Sequence, residues 1–75
     1  MLSMIHIGQL IRKELQKQER TVSWFARELN CSRSNIYKIF EKPTLDTAFL
    51  LQVSRILNVD FFQHYTDELE NITNS

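Results

Sequence analysis

The stretch Val22–Glu41, VSWFARELNCSRSNIYKIFE, decides the fold of this chain, because its pattern predicts two short helices joined by a tight turn. Asn30 ends the first of them, and asparagine is one of the few non-glycine residues that accepts the left-handed backbone of a sharp turn. Ser32 is suited to cap the second helix, since its hydroxyl accepts a hydrogen bond from an unpaired first-turn N–H. The residues expected to pack this helix pair onto a core are Phe25, Ala26, Leu29, Cys31, Ile36 and Ile39.

Helical spacing of apolar residues continues on both sides of this stretch. A first helix is predicted from about Met4 to Gln18, with Gly8 allowing close packing and with Arg12, Lys13, Glu14, Gln16 and Lys17 on its solvent side. The second helix is predicted to begin at Thr21 or its neighbour and to end near Leu29, and the third is predicted to end near Phe40. Pro43 interrupts the chain after the third helix. A fourth helix is predicted to begin at a cap formed by Asp46 or Thr47 and to end at Asn58. Its expected core face consists of Leu50, Val53, Ile56 and Leu57. A short last helix, capped by Asp60, is predicted to contain Phe61, Phe62 and Tyr65.

Length and composition indicate one small all-α domain. The chain has 75 residues, of which 43% are hydrophobic and 11% aromatic, enough for one core. One Gly and one Pro leave little turn material for a sheet protein, so a compact bundle of about five short helices is expected. We place the domain at residues 1–65 and interpret residues 66–75 as a polar, acidic tail or an extension of the last helix.

The chain resembles the Xre/Cro-like helix-turn-helix regulators, a family that includes phage lambda repressor. The resemblance depends on ARELNCS at Ala26–Ser32, IYKI at Ile36–Ile39, PTLDT at Pro43–Thr47 and RILNV at Arg55–Val59, and it covers roughly residues 7–62. It implies a lambda-repressor-like bundle in which helices 2 and 3 form a helix-turn-helix that binds double-stranded DNA. The resulting hypothesis is a transcriptional regulator, with repression as the family default.

Two positions depart from the family pattern. The turn has Asn30 where the family usually has glycine, and this change is chemically tolerable. Val22 stands where the family often has a glutamine that contacts a DNA phosphate, so one expected contact is absent.

The charge of the chain is divided unevenly, although the formal net charge is zero. Residues 1–40 carry seven Lys and Arg against three Glu, a balance of +4, and residues 41–75 carry two against six acids, a balance of −4. Positive charge therefore accompanies the helix-turn-helix, as expected if that part meets phosphates, although chance segregation in a short chain gives the same pattern.

The third helix, at about residues 33–40, carries the predicted DNA contacts. Because its apolar residues face inward, its first turn leaves Arg33, Ser34 and Asn35 as candidates for base contacts in the major groove. An arginine fork matches guanine O6 and N7, and an asparagine amide matches adenine N6 and N7. The candidates for phosphate contacts are Thr21, Ser23, Ser32, Tyr37, Lys38 and Lys42.

Several of these side chains have a purely structural alternative. Arg33 and Lys38 also suit a solvated helix surface, and the Tyr37 ring also suits packing at the edge of the core. Trp24 either covers the end of the core or lies beside the DNA backbone. Cys31 is interpreted as a small buried hydrophobe rather than a redox sensor.

The aromatic residues near the carboxyl end suggest a partner surface. We expect Phe61 in the core, and Phe62, Tyr65 and Leu69 as possible contacts of a homodimer, at least on DNA. Two third helices would then lie roughly 34 Å apart, one turn of DNA. Neither a membrane nor a small-molecule ligand is expected as a partner.

Two other function classes were weighed. An enzyme is not expected, because His6, His64 and Cys31 lack metal-ligand or catalytic spacing and no glycine-rich loop exists; no cofactor or metal is expected either. A protein-interaction, antitoxin or adaptor module on the same fold is the stronger alternative. A single cysteine and the lack of a basic leader before an apolar run favour a cytoplasmic location.

Overall fold

The computed structural model describes residues 5–73, and the side-chain burial of residues 5–70. Five α-helices occur in this part of the chain. Their bounds are α1 Ile7–Lys17, α2 Val22–Glu28, α3 Arg33–Phe40, α4 Thr47–Leu57 and α5 Gln63–Thr73. No strand occurs in this part of the chain. The predicted all-α bundle of about five short helices is confirmed.

The beginning of α1 differs from the prediction. Residues 5 and 6 are not helical, so a start near Met4 was placed too early, and Met4 itself lies outside the described residues. His6 is extended, with φ −122° and ψ 96°, and its Nδ1 accepts the N–H of Gln9 at 3.2 Å. Histidine is an unusual cap, which explains why the sequence pattern did not indicate it.

The caps of the next three helices agree with the sequence. The hydroxyl of Thr21 accepts the N–H of Trp24 at 3.0 Å, and the hydroxyl of Ser32 accepts that of Asn35 at 3.2 Å. Asp46, rather than Thr47, caps α4, since its carboxylate accepts the N–H of Phe49 at 2.8 Å. These short-range bonds satisfy first-turn donors that have no partner inside a helix.

Three helices end with one residue in the left-handed backbone region. Asn30 after α2 has φ 55° and Asn58 after α4 has φ 57°, as predicted, while Glu19 after α1, with φ 57°, was not predicted. In each case the following N–H returns to a carbonyl of the last turn: Arg20 to Leu15 at 3.0 Å, Cys31 to Ala26 at 2.9 Å and Val59 to Ser54 at 3.0 Å. This bond is the signature of a Schellman C-cap.

The buried core takes residues from α1 to α4 and from Phe61, which lies just before α5. Its buried members are Ile7, Ile11, Leu15, Phe25, Ala26, Ile36, Ile39, Phe40, Leu50, Val53, Leu57 and Phe61. Phe61 is 1% exposed, as expected. Ile56, on the predicted core face of α4, and Cys31, in the turn after α2, are partly buried and pack against this core.

Gly8 sets how closely α1 approaches the end of α3. Its N–H donates to the carbonyl of Lys42 at 2.9 Å, and the N–H of Ile7 donates to that of Pro43 at 3.0 Å. A Cβ on Gly8 would lie within 2.7 Å of three backbone carbonyl oxygens, those of Ile39, Phe40 and Lys42. Only glycine fits, which confirms the close packing expected there and fixes α3 against α1.

Candidate nucleic-acid interface

The buried face of α3 determines which of its side chains are available. Ile36, Ile39 and Phe40 are buried against α1 and α2. The remaining side chains of the helix are exposed: Arg33, Ser34, Asn35, Tyr37 and Lys38. The five polar residues predicted on this helix therefore lie together on its outer surface.

The three predicted base-contact residues form the first turn of α3. Arg33, Ser34 and Asn35 follow directly after the cap at Ser32. Within residues 5–73 none of their side chains makes a hydrogen bond to the protein, so their donors and acceptors point to solvent. This turn presents a guanidinium, a hydroxyl and an amide side by side, the groups that recognise base edges.

The predicted hydroxyl contacts lie at the amino-terminal ends of α2 and α3. Thr21, Ser23 and Ser32 are all exposed. Thr21 and Ser32 use an oxygen lone pair for capping, and a hydroxyl that accepts one bond still has its O–H to donate. Both side chains thus combine a structural bond with a free donor for an anion.

Two clefts border the exposed face of α3. The α3–α4 cleft, of about 340 Å³, is lined by Asn35, Ile39, Lys42, Thr44, Leu45, Asp46 and Phe49. The α1–α3 cleft, of about 190 Å³, is lined by Arg12, Leu15, Gln16, Arg20, Val22, Tyr37 and Phe40. The structure thus brings Lys42 beside Asn35, and it places Tyr37 on the opposite flank of the helix.

The two clefts differ in charge. The α3–α4 cleft is lined by one acidic residue, Asp46, and one basic residue, Lys42. The α1–α3 cleft contains two guanidinium groups, those of Arg12 and Arg20, and no acidic residue. Anion attraction is therefore stronger in the α1–α3 cleft.

Sequence reasoning did not find the α1–α3 cleft. Arg12 and Gln16 were interpreted as residues of the wet side of α1, and Arg20 received no role. The four-residue spacing of Arg12 and Gln16 was a visible signal, because it places both side chains on one face of α1. Arg20 follows the end of that helix. Their approach to Tyr37 depends on how α1 packs against α3, which the spacing does not reveal.

Trp24 is partly buried and contacts both the core and a cation. Its ring lies 6.5 Å from that of Phe25 at an interplanar angle of 18°, and the guanidinium carbon of Arg20 lies 4.4 Å from its centroid. The packing on Phe25 agrees with a ring that covers the core. Tyr37, in contrast, is 58% exposed and meets Phe40 edge to face at 6.0 Å, so its ring is only partly used in packing.

The predicted dimer residues border an apolar groove between α4 and α5. This groove, of about 370 Å³, is lined by Thr44, Leu45, Thr47, Leu50, Phe62 and Tyr65. Phe62 and Tyr65 are partly buried, as expected, and Leu69, further along α5, is 64% exposed. The last helix begins later and runs further than predicted. Asp60, Phe61 and Phe62 form a turn before it, in which the Asp60 carboxylate accepts the N–H of Phe62 at 3.0 Å. Since α5 continues to Thr73, the described part of the segment 66–75 extends the last helix.

His6 and His64 lie in one shallow cleft with Lys13 and Glu68, although they are far apart in sequence. No cluster of three or more His, Cys, Asp or Glu side chains among residues 5–73 is arranged to hold a metal ion. In the same part of the chain, no helix has the length and apolar character needed to cross a membrane.

Comparison with known proteins returned no match: no family model, curated protein or solved structure is similar to this chain.

Proposed function

We propose that this chain is a sequence-specific double-stranded DNA-binding protein of the Xre/Cro-like class, acting as a transcriptional regulator and by family default as a repressor. The observation that carries the proposal is the first turn of α3. Arg33, Ser34 and Asn35 are exposed together at the start of a helix whose opposite face is buried. A helix presented in this way, behind a second short helix and a four-residue connection, suits insertion of its amino-terminal end into the major groove.

In this proposal the first turn of α3 reads the base sequence. Arg33 donates a fork of hydrogen bonds to guanine O6 and N7, and Asn35 pairs with adenine N6 and N7. Each bidentate contact contributes about 1–3 kcal/mol of discrimination against a wrong base. Ser34 donates or accepts one hydrogen bond and adds less specificity.

The phosphate contacts set the position of α3 in the groove without reading sequence. Lys38 and Lys42 supply charge, and Thr21, Ser23, Ser32 and Tyr37 supply hydroxyl donors. The exposure of all six side chains supports this assignment. The concentration of positive charge in residues 1–40 supports it as well.

A homodimer on DNA is part of the proposal. Phe62, Tyr65 and Leu69 would contact the second copy and place two α3 helices roughly 34 Å apart on a two-fold site. The apolar lining of the α4–α5 groove supports an interface there. We place the protein in the cytoplasm, a location that its single cysteine favours.

The alternative is a protein-interaction, antitoxin or adaptor module. It is favoured by the same α4–α5 groove and by a formal net charge of zero. The two functions differ in what they need from α3, since a protein-binding module has no use for three exposed base-reading side chains in one turn.

Selection from a randomised duplex library, at low and at moderate salt, tests the proposal directly. We expect enrichment of a short motif with two-fold symmetry. Uniform weak binding that disappears with salt would reduce the activity to phosphate attraction. No binding at low salt would contradict the proposal and favour the protein-interaction alternative.

Substitution of α3 residues separates base reading from phosphate contact. Arg33→Ala should weaken binding to the selected site by about 1–3 kcal/mol and relax sequence preference at one position. Lys38→Ala should weaken binding to all sequences alike and reduce the salt slope by about 1. Both are measured by fluorescence anisotropy over a range of salt concentrations. Unchanged binding in both variants would show that α3 is not the reading element.

A further inference from the structure

We infer that the α1–α3 cleft is a binding site for a DNA backbone phosphate, formed by Arg12, Gln16, Arg20 and Tyr37. This inference rests on the proposed function and adds to it a phosphate site that involves the first helix. None of the first three residues was assigned a role by the sequence pattern.

The composition of the cleft suits an anion. Its polar lining residues are Arg12, Gln16, Arg20 and Tyr37, whose side chains all donate hydrogen bonds. No carboxylate lines it, and within residues 5–73 neither arginine forms an ion pair. Two arginines whose charge is not balanced by acids within the fold attract a phosphate, and the planar fork of a guanidinium matches phosphate oxygens.

One of the two arginines is already oriented. The guanidinium of Arg20 lies 4.4 Å from the centroid of the Trp24 ring, a cation–π contact. This contact restrains a long side chain at the edge of the cleft, so less conformational entropy is lost when Arg20 binds an anion. Trp24 thereby positions Arg20. This role is compatible with the packing of the Trp24 ring on Phe25.

The position of the cleft places its ligand beside the base-reading helix. Tyr37 belongs to the exposed face of α3, one turn after Ser34, and it lines the cleft together with Arg12. The backbone of a DNA strand that borders the major groove occupied by α3 would therefore lie on the Tyr37 side of the helix. The opposite flank is less suited to an anion, because the carboxylate of Asp46 lies there.

A matched pair of variants on α1 tests the inference with DNA. Arg12→Gln removes a charge inside the cleft, and Lys13→Gln removes the same charge from an exposed neighbour that does not line it. On the selected duplex we expect Arg12→Gln to raise Kd about tenfold and to reduce the salt slope by about 0.9, because one phosphate contact is lost. Lys13→Gln should change Kd by less than about threefold, since a screened surface charge acts only at long range. Equal changes in the two variants would overturn the inference while leaving DNA binding intact.

If the wild-type chain binds no duplex, the proposed function fails. Anion binding by the cleft is then tested separately by titration with inorganic phosphate alone. Trp24 is the single tryptophan, and its contact with Arg20 makes its fluorescence a reporter of the cleft. We expect a saturable fluorescence change with phosphate at constant ionic strength, kept in Lys13→Gln and lost in Arg12→Gln. A wild-type response no different from that to chloride would overturn the inference. Circular dichroism melting of each variant verifies that the fold is retained.

Discussion

At the residue scale, Glu19 shows how a turn can tolerate an unfavourable backbone. Its φ of 57° is left-handed, a conformation that costs an L-residue about 1–2 kcal/mol. The turn still forms, because the N–H of Arg20 bonds to the carbonyl of Leu15 at 3.0 Å and that of Glu19 bonds to the carbonyl of Gln16 at 3.1 Å. The Schellman bonds and the packing of α1 and α2 on a shared core thus impose the conformation on a residue that does not prefer it.

Glycine at this position should stabilise the fold. Glu19→Gly relieves the left-handed strain but adds freedom to the unfolded chain, so we expect a gain of about 0.5–1 kcal/mol in the free energy of unfolding. The matched control is Glu28→Gly at the end of α2, where the backbone is right-handed and the same change should cost about 1 kcal/mol. Urea unfolding measures both. Destabilisation by Glu19→Gly would show that the Glu19 side chain has a role that its exposure does not indicate.

At the scale of the element, the beginning of α4 carries a residue that favours helix stability and opposes the proposed DNA binding. Asp46 accepts the N–H of Phe49 at 2.8 Å, and an acidic cap is favourable at a helix amino terminus. Asp46 also lines the α3–α4 cleft with Lys42, where its carboxylate would repel a phosphate of DNA bound as proposed. Asp46 therefore stabilises the amino terminus of α4 but is unfavourable for DNA binding at the proposed surface.

Two substitutions of Asp46 separate these effects. Asp46→Asn keeps a good cap, so stability should change by less than about 0.5 kcal/mol, whereas Asp46→Ala should lose about 1 kcal/mol. Both remove the negative charge and should tighten DNA binding by about two- to fivefold at low salt. Thermal unfolding and anisotropy titrations measure the two quantities. Weaker binding by Asp46→Asn would contradict the placement of this cleft near the DNA.

At the scale of the whole molecule, the bundle carries a cleft lined by two arginines and a groove lined mainly by apolar residues. The cleft lies between α1 and α3, and the groove lies between α4 and α5. Within residues 1–40 the charge balance is +4, and within residues 41–75 it is −4. In the proposed function, the arginine-lined cleft contacts DNA and the groove contacts a second copy of the chain.

A charge on α5 should impair the proposed dimer. Leu69→Lys should weaken binding to a two-fold site by about tenfold and leave binding to a half-site unchanged, because an interface would have to bury the new ammonium. Leu51→Lys on α4 is the matched control, since Leu51 is also exposed, at 43%. Sedimentation and anisotropy on duplexes with one or two half-sites give the comparison. Equal behaviour of the two variants would exclude Leu69 from the dimer contact.

The features predicted correctly depend on residues close together in sequence. The caps at Thr21 and Ser32 and the left-handed Asn30 each involve bonds that span only a few residues. His6 as a cap and Glu19 as a left-handed residue were not predicted, because neither residue type favours its role. In both cases tertiary packing outweighed local preference.

The sequence by itself determined the five helices, three of their caps, most of the core and the exposed first turn of α3, because helical periodicity and capping are short-range properties. Only the tertiary structure decided that Arg12 and Arg20 line one cleft with Tyr37, and that Gly8 lies against the carbonyl oxygens at the end of α3. These contacts depend on the relative placement of α1 and α3. That placement follows from burying the core as a whole, and no single segment encodes it.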